Sequence, residues 1–326
     1  MEQKIAEFWK KLALAKNILL INHIRMDPDC FWSLTALYLI LKKLNYNVAA
    51  INDEKSPADF SFLWMDDIVT PELDIKQFSP DLIISLDAAS LDQLWNTYKN
   101  NIEIFKNTDF VVFDHHITNP WFWSLNIIDT KSSSTCELLF RVLESIWLDS
   151  YIDPKIATLL TTWIHTDTNI FYNSNTTPTT LHTAAKLMEL WADFRSPMFH
   201  FYKKKNLTKS RLWWEVLKNL KSSENWKIVW GLIPKELFEK TNTTDKETSW
   251  LINEFLSNME WMEVCFLIYY IDDTKLKTSF RSTGYDVASL CASYGWWWHK
   301  QAAWFYTELS MKEAEKEILD KLKDLI

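Results

Sequence analysis

Glycine is almost absent from this chain of 326 residues. There are 3 glycines, where an average usage of about 7% would give roughly 23. Glycine is the usual residue where the backbone must adopt a positive φ angle, as in tight turns and at helix ends. Tryptophan, normally one of the rarest residues, occurs 19 times, so its excess is similar in size to the shortage of glycine.

Several tryptophans also stand where backbone chemistry favours glycine. Trp191 follows a helical pattern, and Trp296, Trp297 and Trp298 directly follow Gly295. We hypothesise that the gene comes from a lineage that reads the codon UGA as glycine, and that the printed sequence translates UGA as tryptophan. The alternative is a genuinely tryptophan-rich protein, and mass spectrometry of the natural product would distinguish the two.

Long apolar runs and paired cysteines are also missing. No apolar run approaches the roughly 20 residues of a membrane span, and the first residues include Glu2 rather than a signal-peptide core. We therefore expect a cytoplasmic location and no membrane partner. The cysteines form no CxxC pair, which predicts free thiols in a reducing compartment; they are Cys30, Cys136, Cys265 and Cys291.

The chain lacks an excess of positive charge, since its formal net charge is −8. A protein that grips long duplex nucleic acid is usually basic, so this charge argues against such a partner. An acidic chain can still take short or small phosphorylated substrates if metal ions supply the positive charge.

What the sequence does contain is an alternation of strand and helix patterns. Strands are predicted at 17–22, 47–51, 81–87 and 110–113, and helices at 2–16, 33–44, 133–147, 154–164 and 178–190. This alternation predicts an α/β fold with a doubly wound, mainly parallel sheet in residues 1–194. A linker is predicted at 195–210, followed by a smaller α/β domain at 211–326 that contains an antiparallel hairpin. We expect a cleft between the two domains.

Polar residues collect where the predicted strands end. The run Phe110 to Phe113 ends in an acid and two histidines, and other strands of the first half end in the same way. Ligands bind at this edge of open α/β sheets. The residues concerned are His23, Asp27, Asp29, Asp87, Asp114, His115 and His116, with Asp167 after a helix.

So many acids at one edge would repel each other unless cations neutralise them. Aspartate and histidine are ligands of divalent ions such as Mn²⁺ or Mg²⁺, whereas a structural zinc site would use cysteine, and we expect none near these motifs. Two such ions can share a carboxylate and a hydroxide during phosphoester hydrolysis. Each motif alone is weak, because Asp87 could be a solvated strand end and Asp167 could cap a turn.

In their order along the chain, these motifs resemble the DHH phosphoesterase superfamily. The motifs are His23-x3-Asp27-x-Asp29, Asp87, Asp114-His115-His116 and Thr166-Asp167-Thr168. The second half, with Ser279 to Ser282 and Gly295 to Phe305, resembles the associated C-terminal domain, whose signature is a glycine-rich loop, a histidine and Ala-Ala-Gly. The length is similar to the branch of nanoRNases and phosphoadenosine-phosphate phosphatases, whereas the single-strand exonuclease branch is longer.

The resemblance implies a role for each residue. His23, Asp27, Asp87 and Asp167 would bind one metal ion, and Asp29, Asp87, His115 and Asp167 the other, with Mn²⁺ expected and Mg²⁺ as the alternative. Asp114 would orient His115, and His116 would contact the scissile phosphate or protonate the leaving oxygen. Substrate phosphate would be held by Arg281, Ser282 and His299.

The chain departs from the family pattern chiefly at tryptophans. The family has glycine at the positions of Trp32, Trp163, Trp191, Trp296, Trp297, Trp298 and Trp304. Three indoles in a phosphate-binding loop would block its approach to phosphate, and overpacking at Trp32 would cost about 1–3 kcal/mol. We therefore expect the product with glycines to be active. A base-stacking role for Trp296 to Trp298 is the alternative.

The sequence thus predicts a metal-dependent phosphoesterase that cleaves short RNA oligonucleotides to mononucleotides and 3′-phosphoadenosine 5′-phosphate to AMP. A cyclic- or linear-dinucleotide phosphodiesterase is the first alternative, and a single-strand-specific exonuclease the next. A non-catalytic nucleotide-binding protein is the alternative from another class. The oligomeric state, including a homodimer, stays open.

Overall fold

The computed structural model describes residues 1–56, 58–63, 65, 67–120, 123–204, 206–223, 225–248, 251–294 and 300–323. The chain divides into two compact units, Met1–Lys204 and Lys205–Ile326. None of the described helices combines the length and the apolar character needed to cross a bilayer.

The first unit is built on a six-stranded sheet. Its strands are β1 (Asn17–Asn22), β2 (Asn47–Ile51), β3 (Val69–Thr70), β4 (Leu82–Leu86), β5 (Asp109–Asp114) and β6 (Leu125–Ile128). All neighbours pair in parallel, in the order β3-β2-β1-β4-β5-β6. The order reverses between β1 and β4, and such a switch point is where open α/β sheets bind ligands.

Nine α-helices of the described residues belong to this unit. They are α1 (Glu2–Leu14), α2 (Pro28–Lys43), α3 (Ile75–Phe78), α4 (Trp95–Lys99), α5 (Ile102–Asn107), α6 (Thr135–Ser145), α7 (Pro154–Thr166), α8 (Pro178–Glu189) and α9 (Arg195–Met198). Apolar side chains cover both faces of the sheet in two clusters. The central strands are therefore buried on both sides, which explains why they are continuous apolar runs in the sequence.

The predicted α/β class and doubly wound parallel sheet are confirmed, with differences of detail. Strands β3 and β6 were not predicted, and neither were the short helices α3, α4 and α5. Helix α2 begins at Pro28 rather than at Ser33, because Asp27 caps it by accepting a hydrogen bond from the amide of Cys30 (3.0 Å). Asp29 therefore lies in the first helical turn and not in a loop.

The second unit contains a smaller, mixed sheet. Its strands are β7 (Lys221–Ser222), β8 (Ile228–Ile233), β9 (Val264–Tyr270), β10 (Leu276–Ser282) and β11 (Ala302–Thr307), in the order β11-β10-β9-β8-β7. The predicted antiparallel hairpin is present as β9 and β10. The helices are α10 (Leu207–Lys218), α11 (Lys235–Thr241), α12 (Leu251–Glu254), α13 (Val287–Ala292) and α14 (Met311–Lys323).

The predicted linker region is largely helical. It contains α9, a π-helical turn at Phe199–Lys203 and the start of α10. The predicted loop 294–300 falls mostly outside the described residues.

Tryptophan is common where the backbone is left-handed. Among the described residues other than glycine, thirteen have a positive φ, and five of these are tryptophans. They are Trp95, Trp147, Trp191, Trp226 and Trp261, with φ between 44° and 67°, and all five are exposed. An L-residue with a Cβ is strained in this region and glycine is not, so these positions favour glycine.

Candidate metal centre

Three neighbouring strands deliver polar side chains to one edge of the parallel sheet. His23 follows β1, Asp87 follows β4, and Asp114 ends β5. Strands β1 and β4 pair in register at their last residues, as do β4 and β5 near theirs. The carboxyl ends of parallel strands meet at the same edge, so these side chains converge.

One predicted ligand of this site occupies an uncommon backbone conformation. Asp87 has φ 60°, which costs about 1–3 kcal/mol for a non-glycine residue and persists only where the surroundings enforce it. Its amide donates a hydrogen bond to the carbonyl of Phe113 (2.8 Å). The turn after β4 therefore directs the carboxylate of Asp87 into the site.

Around His23, the donor atoms are separated by more than a hydrogen-bond length. Its Nε2 lies 3.7 Å from Oδ2 of Asp27 and 3.6 Å from Oδ2 of Asp87. The ring is fixed by a contact of its Nδ1 with the carbonyl oxygen of Ile24 (2.7 Å). The atom that faces the carboxylates is therefore Nε2.

Around His115, a second group has similar spacing. Its Nε2 lies 3.8 Å from Oδ2 of Asp29, 3.6 Å from Oδ1 of Asp87 and 3.9 Å from Oδ2 of Asp167. Asp87 thus turns one oxygen toward each histidine. The structure brings together all six residues predicted as ligands: His23, Asp27, Asp29, Asp87, His115 and Asp167.

This spacing fits divalent ions. Two donors bound to one ion at about 2.1 Å are about 3–4.2 Å apart, and the distances above fall within that interval. Donor atoms of Asp87, His115 and His116, and likewise those of Asp29, His115 and Asp167, all lie within 4.8 Å of one another. The donors are carboxylate oxygen and imidazole nitrogen, both common ligands of divalent metal ions.

Electrostatics also favour a cation here. Burial, and then the charges of Asp87 and Asp27, raise the pKa of the Asp29 carboxyl well above its usual value. Burial and the charge of Asp29 do the same to the pKa of Asp167. Like charges buried together in this way are stable as carboxylates only with a positive partner.

Asp114 acts mainly on His116. Its Oδ1 accepts a hydrogen bond from the amide of His115 (2.8 Å) and lies 2.7 Å from the ring Nδ1 of His116, while its Oδ2 accepts one from Asn119 (2.7 Å). The side-chain contact is therefore with His116 and not with the ring of His115, where the resemblance placed it. Although burial disfavours the imidazolium, the contact with Asp114 and the charge of Asp87 raise the pKa of His116 to about 9.

Cysteine is closer to the site than we expect from the sequence. Cys30 forms a group with His23, Asp27 and Asp87 whose ligand atoms all lie within 4.8 Å of one another. The expectation of no nearby cysteine was wrong, and the adjacency of Cys30 to Asp29 was the overlooked signal. All four cysteines are free and buried, as predicted for thiols without disulfides.

In the second unit, Arg281 and Ser282 lie at the end of β10. The Nε of Arg281 donates to Oδ1 of Asn253 (2.8 Å), and the hydroxyl of Ser282 donates to the carbonyl of Tyr285 (2.6 Å). Their predicted role in binding phosphate stays a prediction. His299 lies outside the described residues, as do Trp296 to Trp298.

Comparison with known proteins agrees with this geometry. The DHH family N-terminal domain matches residues 17–164. The bifunctional oligoribonuclease and PAP phosphatase NrnA of Bacillus subtilis is 27% identical over 301 residues, with 91% of each chain covered. The protein of that name from Mycoplasma genitalium is 25% identical over 296 residues, covering 88% of this chain and 87% of its own.

A solved structure shares the fold over nearly the whole chain. An exopolyphosphatase-related protein from Bacteroides fragilis superposes with a TM-score of 0.90 and 21% sequence identity. The match covers 99% of this chain and 96% of the other. At this identity the likeness concerns the fold alone.

Proposed function

We propose that this chain is a phosphoesterase of the DHH type, which cleaves short oligoribonucleotides to mononucleotides and 3′-phosphoadenosine 5′-phosphate to AMP. The match of the DHH family N-terminal domain to residues 17–164 supports the reaction class. The convergence of six acidic and imidazole side chains in one site carries this proposal. The names of its relatives support the choice of substrates.

The site would hold two divalent ions, with Mn²⁺ as the expected metal. His23 and Asp27 would bind one ion, His115 and Asp29 the other, and Asp87 and Asp167 both. When bound, such ions lower the pKa of water and stabilise the negative charge that develops on the phosphoryl oxygens. The chain's own contribution is to fix six donors before substrate arrives.

His116 is proposed as the residue that serves the leaving group. Its Nδ1 is occupied by Asp114 at 2.7 Å, so its Nε2 is the nitrogen that would contact the scissile phosphate and pass a proton to the leaving oxygen. The buried Asp114, held in turn by Asn119, keeps the ring in this orientation.

The second unit is proposed to select the substrate. Arg281 carries a planar guanidinium, which suits bidentate binding of phosphate. Ser282 and His299 would add hydrogen bonds to the same group.

The test is release of mononucleotide from a dinucleotide and of AMP from 3′-phosphoadenosine 5′-phosphate, with and without Mn²⁺. Two forms of the full chain are needed: the printed sequence, and one with glycine at the seven tryptophan positions where the family has it. We expect Mn²⁺-dependent activity with both substrates in the glycine form, and its loss on chelation.

Two variants make the test specific. Asp87→Asn removes one charge from the site without changing its shape and should lower kcat by more than about 100-fold, since it would disturb both ions. Asp109→Asn makes the same change at the opposite end of the neighbouring strand β5, where the side chain is paired with Lys11, and should leave kcat within about twofold. Absence of activity in both forms of the chain, or full activity of Asp87→Asn, would refute the proposal.

A further inference from the structure

We propose that Thr135 is a positioning residue of the metal centre, which fixes the carboxylates of Asp87 and Asp29 in the orientation that two metal ions require. This inference rests on the proposed function, because it concerns the same site.

The hydroxyl of Thr135 is not used for capping. Helix α6 is capped by Ser134, whose side chain accepts a hydrogen bond from the amide of Glu137 (3.0 Å). The hydroxyl of Thr135 instead donates to Oδ1 of Asp87 at 2.8 Å, across 48 residues of sequence. Both side chains are almost fully buried, so water does not replace this contact easily.

This hydrogen bond controls the rotation of the Asp87 carboxylate. The carboxylate has to present Oδ2 to His23 and Oδ1 to His115, each at 3.6 Å. Its χ2 torsion is soft, with a broad distribution in proteins. A donor bound to one oxygen restricts that torsion, so Thr135 keeps one oxygen directed at each histidine.

The backbone of the same residue holds the second carboxylate. The amide of Thr135 donates to Oδ2 of Asp29 (2.6 Å), and the amide of Cys136 donates to its Oδ1 (2.9 Å). Both N–H groups belong to the first turn of α6 and so have no carbonyl partner within the helix, and the helix dipole also favours an anion there. Asp29 is thereby locked with Oδ2 facing His115 at 3.8 Å.

The start of α6 is itself fixed in place. The carboxylate of Glu137 accepts hydrogen bonds from the amide and hydroxyl of Ser133 and from the hydroxyl of Thr180 in α8. Thr135 therefore stands on a rigid helix end and links two carboxylates that belong to different elements, α2 and the turn after β4. Residues that orient metal ligands in this way usually change metal affinity by about 10- to 100-fold when removed.

The experiment compares Thr135→Val, Thr135→Ser and Thr161→Val in the full chain. Valine keeps the shape of threonine and removes the hydroxyl, whereas serine retains it. Thr161 is the matched control, because it is equally buried and its hydroxyl donates to a helix carbonyl, that of Thr158 (2.8 Å). The readouts are Mn²⁺ affinity by calorimetry, the Mn²⁺ EPR spectrum, and the unfolding midpoint without metal.

We expect Thr135→Val to bind Mn²⁺ at least about tenfold more weakly, with an altered EPR spectrum. Thr135→Ser and Thr161→Val should stay within about threefold of the unchanged chain. If Thr135→Val does not fold, Thr135→Ala is used in its place, since it also keeps the amide that binds Asp29.

The outcomes separate this inference from the proposed function. Unchanged Mn²⁺ affinity in Thr135→Val, or an equal loss in Thr161→Val, overturns the positioning role while the hydrolase proposal stands. If neither the printed chain nor the form with glycine at the seven tryptophan positions binds Mn²⁺ or hydrolyses substrate, both proposals fail together.

Discussion

Two helices of the first unit end in a conformation that glycine normally supplies. After α6, the amide of Trp147 donates to the carbonyl of Glu144 (3.1 Å) and that of Leu148 to Leu143 (2.9 Å). After α8, the amide of Trp191 donates in the same way to the carbonyl of Met188, and the amide of Ala192 donates to the carbonyl of Leu187. Both ends are Schellman motifs, in which the residue after the cap is left-handed and usually glycine.

Two other helices end in the same motif with asparagine at the left-handed position. Helix α2 closes with the same pair of hydrogen bonds around Asn45, and α11 does so around Asn242. Asparagine is the common substitute for glycine at this position, whereas tryptophan is not. The contrast predicts that Trp147→Gly and Trp191→Gly stabilise the protein although each removes a large side chain.

The size of the expected stabilisation depends on the backbone, because both tryptophans are more than 80% exposed and their indoles bury little apolar surface. A left-handed conformation costs an L-residue about 1–2 kcal/mol. Replacement by glycine removes this cost. Glycine also has greater conformational freedom in the unfolded chain, which offsets about 0.4–1 kcal/mol of the stabilisation. The net stabilisation should be about 0.5–1 kcal/mol per site, and the two sites should add, since they belong to different helix ends.

The assay is urea unfolding of the full chain followed by far-UV circular dichroism. Trp147→Ala is the first control: it removes the indole, keeps the Cβ and should not stabilise. Trp9→Gly is the second, because Trp9 is an exposed residue inside α1, where glycine should cost about 1 kcal/mol. If Trp147→Gly destabilises as much as Trp9→Gly, the backbone argument is wrong.

Three further predictions concern other parts of the molecule. Peptide mass spectrometry of the natural product should find glycine at Trp147 and Trp191; tryptophan at both would end the recoding hypothesis. Asp153→Ala should lower stability by about 0.5–2 kcal/mol at neutral pH, since Asp153 caps α7 and pairs with Lys43, while Asp149→Ala should change it little. Burial opposes the carboxylate of Asp153, but Lys43 and the capping amides lower its pKa in the fold. Its contribution to stability is therefore present above the usual aspartate pKa, and the Asp153→Ala difference should shrink in acid-unfolding curves as the pH falls below about 4. His116→Asn should reduce kcat by about 100-fold or more and leave Mn²⁺ affinity nearly unchanged in calorimetry; an equal loss of affinity would instead make His116 a metal ligand.

The sheet was predictable because buried parallel strands leave a simple signal. The apolar runs of β1, β4 and β5 each end in the polar residues of the site, so strand position and ligand identity could be inferred together. Strand β6 was missed because Leu125–Ile128 is short and interrupted by Asn126. The start of α2 was missed although Asp27 and Pro28 form an aspartate N-cap followed by proline, a known helix start.

The orientation of the ligands could not be predicted. Sequence spacing identifies Asp87 as an acid at a strand end, but which oxygen faces which histidine depends on Thr135, a residue 48 positions away. Such contacts between distant segments have no periodic pattern, so they emerge only from the fold.

The buried tryptophans extend the recoding argument to the core. Trp32 in α2 and Trp163 in α7 are fully buried on two helices that pack against each other, and neither indole N–H has a hydrogen-bond partner among the described atoms. An unsatisfied buried donor costs about 1–3 kcal/mol, which a natural core seldom retains twice in one helix contact. Left-handed turns and a tight helix pair are unrelated environments for tryptophan, but both favour glycine. A single change in the reading of one codon therefore accounts for both groups of tryptophans.

With glycine at both core positions, α2 and α7 would pack more closely, and α2 carries Asp29 into the metal centre. The recoded chain should therefore bind Mn²⁺ more tightly than the printed one. Equal Mn²⁺ affinity of the two chains would contradict this expectation.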